Sequence, residues 1–278
     1  MLYFMPLQTK IESRVKQTLS KIKLNKKKRI IIALSGGKDS TTVAYILHKL
    51  GYNISGVHID LGLGGYSERC LNAVKKLCNQ LGIGLHIYNV RKEMGNSMCY
   101  LRSMVQTSQK GKGLKNCAIC GVLKKWILNK VVRKLRADKI ATGHNLDDEC
   151  QTFLVNIFKG SPELSANTGI ETRNIPDKKF IPRIKPLFYV DEKDVRKYTK
   201  ALKLPVVYEK CPCALDSYRI QVRKFVDGLS EKDKLNIMKN FEGVIGGVEK
   251  AGGGIVYCGK CGEPSRGKIC KACELVGS

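Results

Sequence analysis

A chain of 278 residues can hold one full α/β domain with something smaller beside it, and 43% hydrophobic residues is ordinary for a packed globular protein. Its longest apolar runs fall far short of a bilayer span, and no charged segment followed by an apolar one opens the chain, so a soluble, cytoplasmic protein with no membrane partner is expected. Lys and Arg number 50 against 24 Asp and Glu, a net charge of +26; such a field draws polyanions by counterion release, which favours a nucleic-acid partner over a merely solvated basic surface.

Residues 1–29 carry nine Lys and Arg from Lys10 to Arg29, with Ile11, Val15, Leu19 and Ile22 at three- to four-residue steps. The pattern predicts a basic amphipathic helix whose apolar stripe packs on the body and whose other face meets phosphate or water. Ile30 to Leu34 then form a continuous apolar run that breaks at Ser35-Gly36-Gly37-Lys38-Asp39-Ser40, and Val43, Ala44, Ile46, Leu47 and Leu50 resume at helical spacing. That is buried strand, tight loop, helix. Glycines let backbone amides approach an anion, the new helix aims its unpaired N–H groups at the same spot, and Ser35, Ser40, Thr41 and Lys38 add donors and charge. The Walker A spacing is absent, which excludes a kinase- or GTPase-type loop.

Strands are next expected at Ile54–Asp60, Gly84–Val90 and Lys139–Thr142, with helices at Ser67–Leu81, Gly121–Arg136 and 146–159. Strands separated by ten to fifteen helical residues predict βαβ units, a Rossmann-like parallel sheet with helices on both faces, and ligands beyond the carboxyl ends of the strands. His58 and Asp60 sit at such an end. Residues 94–116 give no clear periodicity, and the basic, glycine-rich Lys110–Asn116 reads as a loop able to close over a polyanion or to link two helices. Ala141-Thr-Gly143-His144-Asn145-Leu-Asp147-Asp148-Glu149 is a strand end, a glycine turn and an acidic helix start. Its carboxylates suit either a helix dipole or a nucleotide reached through Mg²⁺ or ribose hydroxyls. Past residue 160, prolines predict an irregular stretch with a hairpin, then a helix over 191–203, a short strand at Leu204–Tyr208, one or two helices in 216–249, and a boundary at Gly252–Gly254.

Of twelve cysteines, eight fall in tight groups, which in a long, reducing-compartment chain argues for metal ligation or sulfur chemistry. Cys258-x2-Cys261 and Cys270-x2-Cys273, with Gly262 and Gly267 nearby, form a closed four-thiolate set suited to structural Zn²⁺. Lys260, Arg266, Lys268 and Lys271 around it make a plausible RNA grip. Cys117-x2-Cys120 opens a helix with both sulfurs on one side, and no second pair lies near it in sequence. A third thiolate would come from afar, with Cys211 of Cys211-Pro-Cys213 the natural candidate. Three thiolates around an open position suit a [4Fe-4S] cluster with one free iron or a dithiol passing a persulfide, and the residues alone do not choose. Cys70, Cys78, Cys99 and Cys150 stand alone and are expected to be small core or surface residues.

The Ser-Gly-Gly-x-Asp-Ser loop resembles the PP-loop of ATP pyrophosphatases. Together with Gly56-Val-His-Ile-Asp-Leu-Gly62, Tyr66-Ser67, Cys117-x2-Cys120, the 141–149 motif, Lys185-Pro-Leu187, Cys211-Pro212 and the terminal four cysteines, it makes the chain similar to the tRNA 2-thiouridine synthetases of the TtuA/NcsA group, related to TtcA. The resemblance implies ATP held by Ala33, Ser35, Gly36, Gly37, Lys38, Asp39, Ser40, Ile59, Lys124, Gly143 and Asp148, with Mg²⁺. It also implies catalysis by Ser35, Asp39, Cys117, Cys120 and Cys211, the three cysteines holding a [4Fe-4S] cluster whose free iron carries a hydrosulfide. Adenylation of the C2 oxygen of a tRNA uridine, followed by sulfur attack and loss of AMP, would give 2-thiouridine. A persulfide enzyme without a cluster and a non-catalytic zinc-knuckle RNA-binding protein are the alternatives. The parts expected are a basic helix 1–29, a PP-loop ATP-binding domain 30–165, a catalytic and tRNA-contacting part 166–250, and a zinc knuckle 251–278. The sulfur donor, a ubiquitin-like carrier or inorganic sulfide, stays open, as do a homodimer and the choice of uridine 34 or 54. Members of the group usually begin with a second zinc module, and residues 1–34 contain neither Cys nor His.

Overall fold

The computed structural model describes residues 7–109, 111–167, 169–172, 177, 179–214, 219–246 and 255–277. Its centre is a five-stranded, all-parallel sheet ordered β3-β2-β1-β4-β5, formed by β1 (Ile30–Ala33), β2 (Ile54–Asp60), β3 (Leu85–Asn89), β4 (Lys139–Ala141) and β5 (Arg183–Ile184). Successive residues of β1 serve opposite faces: Ile30 and Ile32 enter one hydrophobic core and Ile31 the other, all fully buried. A parallel sheet covered on both sides requires such a continuous apolar strand, the run read from the sequence.

One face is covered by α1 (Leu7–Lys21), α2 (Lys38–Lys49), α3 (Gly65–Leu81) and α8 (Glu192–Ala201). In α1 Ile11, Val15 and Leu19 are buried, so the N-terminal stripe does pack on the body, and Lys10 binds Asp194 and Glu231 at 3.2 and 3.1 Å. The other face is covered by α4 (Val90–Met94), α5 (Met98–Thr107) and α6 (Asn116–Lys134). α5 falls within residues 94–116, where no periodicity marked an element, and α4 ends where that stretch begins.

Beyond β4 come α7 (Leu146–Phe158), a 3₁₀ turn (Pro162–Asn167), and, after α8, α9 (Arg219–Gly228) and α10 (Glu231–Gly246). α7, α9 and α10 share a small core with Phe188. Fully buried Lys234 of α10 bonds Asp147 at 2.5 Å and Asp191 at 2.7 Å, latching this subassembly to the starts of α7 and α8. Breaking such a paired buried charge costs about 3–5 kcal/mol, because the partner is left uncompensated. Near the C-terminus, a hairpin of β6 (Val256–Tyr257) and β7 (Pro264–Ser265) and the short α11 (Lys271–Val276) carry the four cysteines onto α5 and α6.

Two expectations fail. Leu204–Tyr208 is an extended segment outside any strand, because its one backbone bond of note runs to the phosphate loop rather than to the sheet: Val207 N–H donates to the Gly36 carbonyl at 2.9 Å. Among the described residues, the hairpin expected after residue 160 is one antiparallel bridge between Glu171 and Ile184. The Gly252–Gly254 boundary and Lys110 lie outside the described residues, and no described helix is long and apolar enough to cross a membrane.

Candidate active site and metal centres

The order of strands reverses at β1, whose neighbours are β2 and β4, so the crevice for a ligand opens between the carboxyl ends of β1 and β4. The two expected motifs meet there. Gly36 has φ +82°, and a Cβ on it would lie 2.9 Å from the Cys70 backbone, so glycine is demanded twice. Gly37 caps α2 with extended backbone and no side-chain hydrogen bond, which leaves the amides of that helix end facing the crevice. Ser35 and Ser40 hydroxyls lie 3.2 Å apart, and Ser40 also donates to the Gly37 carbonyl. A Cβ on Gly143 would come within 2.6 Å of the Ser40 nitrogen. The glycine lets the turn after β4 lie directly against the loop after β1.

Charge in the crevice is finely paired. Lys38 bonds Asp39 at 2.8 Å and Glu192 at 2.9 Å; burial works against its charge, yet those two carboxylates hold its pKa above the ordinary lysine value. Asn145, which closes a capping box with Asp148 at the start of α7, donates to Asp39 at 2.9 Å. Burial, and then the Asp148 charge, pushes the Asp39 carboxyl up against the opposing pull of Lys38. Asp39 and Asp148 are therefore crowded carboxylates that an oxygen-seeking cation or ribose hydroxyls would relieve. Asn145 stood in the 141–149 motif without a role of its own, and Glu192, which orders the pair from the start of α8, was not singled out from the sequence.

A cationic rim faces the pair. His144 lies exposed at this rim, and desolvation by the packed atoms around it, then the charges of Lys185, Arg219, Lys125 and Arg183, push its imidazole pKa down. Exposed Lys125 is itself lowered by desolvation from the atoms packed around it and by Arg183, Lys185 and Arg219. Cations gathered in this way suit a polyphosphate.

Cys117 lies exposed on the first turn of α6 and Cys120 half-buried one turn on. Cys211 lies half-buried in the turn after the segment tied to Gly36. Burial pushes the Cys211 thiol up, a hydrogen bond from the Cys213 backbone opposes this, the Cys213 and Cys120 sulfurs add to it and Lys124 opposes it, which places all four residues in one locality. Cys211 also acts on Cys70, the residue under Gly36. Cys211 and Cys120 thus lie in one locality near the phosphate loop, with Cys117 one turn before Cys120 on α6. Their donor chemistry, all thiol, fits an iron–sulfur cluster.

Cys258, Cys261, Cys270 and Cys273 place their sulfurs within 4.8 Å of one another, close to the edge of about 3.8 Å that Zn–S bonds of 2.3 Å impose on a tetrahedron. Backbone N–H groups already point at them: Cys270 N–H reaches Cys258 Sγ at 3.2 Å, and such donors push the Cys258 thiol down to about 6. The set fits structural Zn²⁺. Trp126 Nε1 donates to Cys261 Sγ at 3.5 Å, and Glu263, 3% exposed, is held by Arg133 and by Asn129 at 3.0 Å. Lys260, Arg266, Lys268 and Lys271 are all exposed around the module.

Cys78 and Cys150 are buried core residues, as expected. Cys99 is not solitary: its Sγ lies 3.8 Å from Cys213 Sγ, with Arg102 donating to both. Sequence separation hid this, because the partners are 114 residues apart and the helix that carries Cys99 was not anticipated.

Known proteins bear on this arrangement. Residues 7–226 match the PP-loop domain family. The chain is 37% identical over 278 residues to the tRNA-5-methyluridine(54) 2-sulfurtransferase of Pyrococcus horikoshii, covering 96% of this chain and 84% of that protein. It is 31% identical over 266 residues to the tRNA 2-thiolation protein NcsA of Haloferax volcanii, covering 89% and 81%. Its fold is similar to that of the U34-tRNA thiolase NcsA from Methanococcus maripaludis, solved with its [4Fe-4S] cluster: TM-score 0.78 at 27% identity, covering 97% of this chain and 87% of that one. The crevice at the sheet's switch point, the loop that fills it and these relatives agree, and the chain belongs to the TtuA/NcsA group of PP-loop tRNA 2-thiolation sulfurtransferases.

Proposed function

We propose that this protein adenylates the C2 oxygen of a tRNA uridine with ATP and replaces that oxygen by sulfur, giving 2-thiouridine with AMP and pyrophosphate as by-products. The observation that carries the reading is the hydrogen bond from Val207 to Gly36, since it joins the segment leading to Cys211 directly to the phosphate loop. One base can then meet both the nucleotide and the thiols.

The amides at the start of α2 and the Ser35 and Ser40 hydroxyls hold and polarise the α-phosphate as charge builds on it. Lys38 neutralises phosphate oxygen, and its anchorage by Asp39 and Glu192 fixes its aim. Lys125, Arg183, Lys185 and Arg219 receive the departing pyrophosphate. Ala33, Ile59, Lys124 and Gly143 line the nucleotide site, and Asp39 and Asp148 meet Mg²⁺ or the ribose hydroxyls. Neutral His144 at the rim leaves the field of those cations undivided.

Cys117, Cys120 and Cys211 would hold a [4Fe-4S] cluster, which when bound supplies an open iron for sulfur. Cys258, Cys261, Cys270 and Cys273 would hold Zn²⁺ and present the exposed basic residues of their module to the tRNA backbone, where each phosphate contact adds affinity that salt removes. A cytoplasmic setting, rich in tRNA and reducing, suits both metal sites.

Anaerobically purified protein given ATP, tRNA and inorganic sulfide is expected to release AMP and pyrophosphate only when tRNA is present, and nucleoside mass spectrometry is expected to find 2-thiouridine and locate it. ATP cleavage without tRNA dependence, or tRNA bound without modification, would sink the reading. Iron and acid-labile sulfide lost from Cys117→Ser, Cys120→Ser and Cys211→Ser, with zinc retained, is the expected signature of the cluster ligands. Full turnover by protein without iron would instead favour a persulfide on these cysteines.

A further inference from the structure

The sulfurs of Cys99, on α5, and Cys213, two residues past Cys211, lie 3.8 Å apart. Arg102 Nη2 bridges them, at 3.0 Å from Cys99 and 2.9 Å from Cys213. Arg102 is 6% exposed, and its Nε has no partner. Among the described residues no carboxylate pairs with it; its bonded partners are the sulfurs of Cys213 and Cys99. Burying a guanidinium without a carboxylate is costly, and a pair of sulfur acceptors is what this site offers in its place. Cys99 is exposed and Cys213 half-buried, so an incoming donor can reach the pair. Closing 3.8 Å to a disulfide bond of about 2.05 Å lies within reach of side-chain rotation.

We propose that Cys99 and Cys213 form a sulfur-accepting dithiol that takes the terminal sulfur of a persulfide donor and releases it as hydrosulfide beside Cys120 and Cys211. This rests on the thiolation reading for its purpose, though its chemistry can be read independently. The Cys213 thiolate attacks the terminal sulfur of R–S–SH, forming Cys213–S–SH and expelling R–SH once a proton is taken up. The Cys99 thiolate then attacks Cys213 Sγ, the Sγ–S bond breaks, and hydrosulfide leaves as the Cys99–Cys213 disulfide forms. In sum R–S–SH and two protein thiols give R–SH, one disulfide and H₂S; the two electrons that reduce the sulfane sulfur come from the two thiols. A cellular dithiol reductant returns the pair to its starting state. Arg102 steadies negative sulfur at each stage.

The test is one turnover of anaerobic, cluster-loaded, full-length protein with equimolar glutathione persulfide, reading hydrosulfide by trapping and cysteine state by peptide mass. Wild type is expected to yield one hydrosulfide and one Cys99–Cys213 cross-linked peptide per chain. Cys99→Ser, and Cys99→Ala as a second variant, are expected to hold one extra sulfur on Cys213 and to release at least tenfold less hydrosulfide. Cys213→Ser is expected to give neither the extra sulfur at that position nor the cross-link. Wild-type release from the Cys99 variants, or sulfur found on Cys117 or Cys120 instead of Cys213, would overturn the proposal. If inorganic sulfide supports no 2-thiouridine while the cross-link and hydrosulfide still appear, the thiolation reading falls and the dithiol chemistry stands.

Discussion

The amide of Val207 donates to the carbonyl of Gly36 across 2.9 Å, so the phosphate loop and the segment that leads to Cys211 move as one. Replacing Val207 by Pro removes that donor. A lost hydrogen bond of about 1 kcal/mol corresponds to roughly a fivefold effect. Pyrophosphate release with tRNA is expected to fall by at least that factor, with zinc content unchanged by metal analysis. Full activity in the variant would show that the tie is incidental.

Gly143→Ala tests the contact across the switch point. Its Cβ would sit 2.6 Å from the Ser40 nitrogen and 2.8 Å from the Asp39 carbonyl carbon, both backbone atoms, so the loop itself must shift. Overpacking of this kind costs about 1–3 kcal/mol, or roughly five- to 150-fold in ATP affinity if the loss falls on the bound state. Gly228→Ala near the end of α9, where nothing lies within 4 Å, is the control and is expected to raise stability slightly. Calorimetric titration with ATP and thermal unfolding distinguish the two.

These relationships divide by how far apart in sequence their parts lie. β1 and the loop after it were legible because a buried parallel strand must be apolar on both faces, and Ile30, Ile31 and Ile32 satisfy both cores. The terminal cysteines were legible from spacing alone. α5 was not: its buried positions Met98, Leu101, Arg102 and Val105 keep helical spacing, but a charged residue occupies one of them. Arg102 is there to meet sulfur brought by Cys213, and that partner depends on a chain reversal that no local pattern encodes. Leu204–Tyr208 misled in the opposite sense, since an extended apolar stretch predicts a strand whether its bonds go to a sheet or to a loop.

One buried histidine ties stability to pH. His58 is 3% exposed, its Nδ1 lies 2.8 Å from the Leu34 carbonyl and its Nε2 has no partner; burial holds its pKa below 6.5. It is neutral in the fold and takes up a proton more readily when unfolded. Its contribution is therefore full above about pH 6.5 and declines as pH falls toward the folded pKa, by up to about 1.4 kcal/mol per pH unit. Urea unfolding at pH 5.5 and 7.5 is expected to show wild type less stable at the lower pH. In His58→Gln the difference is expected to shrink, and an unchanged difference would remove His58 from the account.

Trp126 is the sole tryptophan of the chain and donates to Cys261 Sγ at 3.5 Å, which makes it a reporter of the terminal module. Cys258, Cys270, Ala272, Cys273 and Leu275 are buried in the same core as Ile127, Leu128 and Val131 of α6. So small a module is expected to need the Zn²⁺ that its four cysteines would hold in order to keep its fold. Removing zinc by chelation at neutral pH is expected to leave four thiols in a space fit for one ion, loosen the module and wet the indole. Emission should shift to longer wavelength in step with zinc release, and added Zn²⁺ should restore it. Cys270→Ser should give the shifted spectrum without chelator. Glu263→Gln, which weakens the grip of Arg133 but keeps every thiol, should retain zinc and show a smaller shift. An indole spectrum indifferent to zinc would mean that the module holds its place on α6 without its metal.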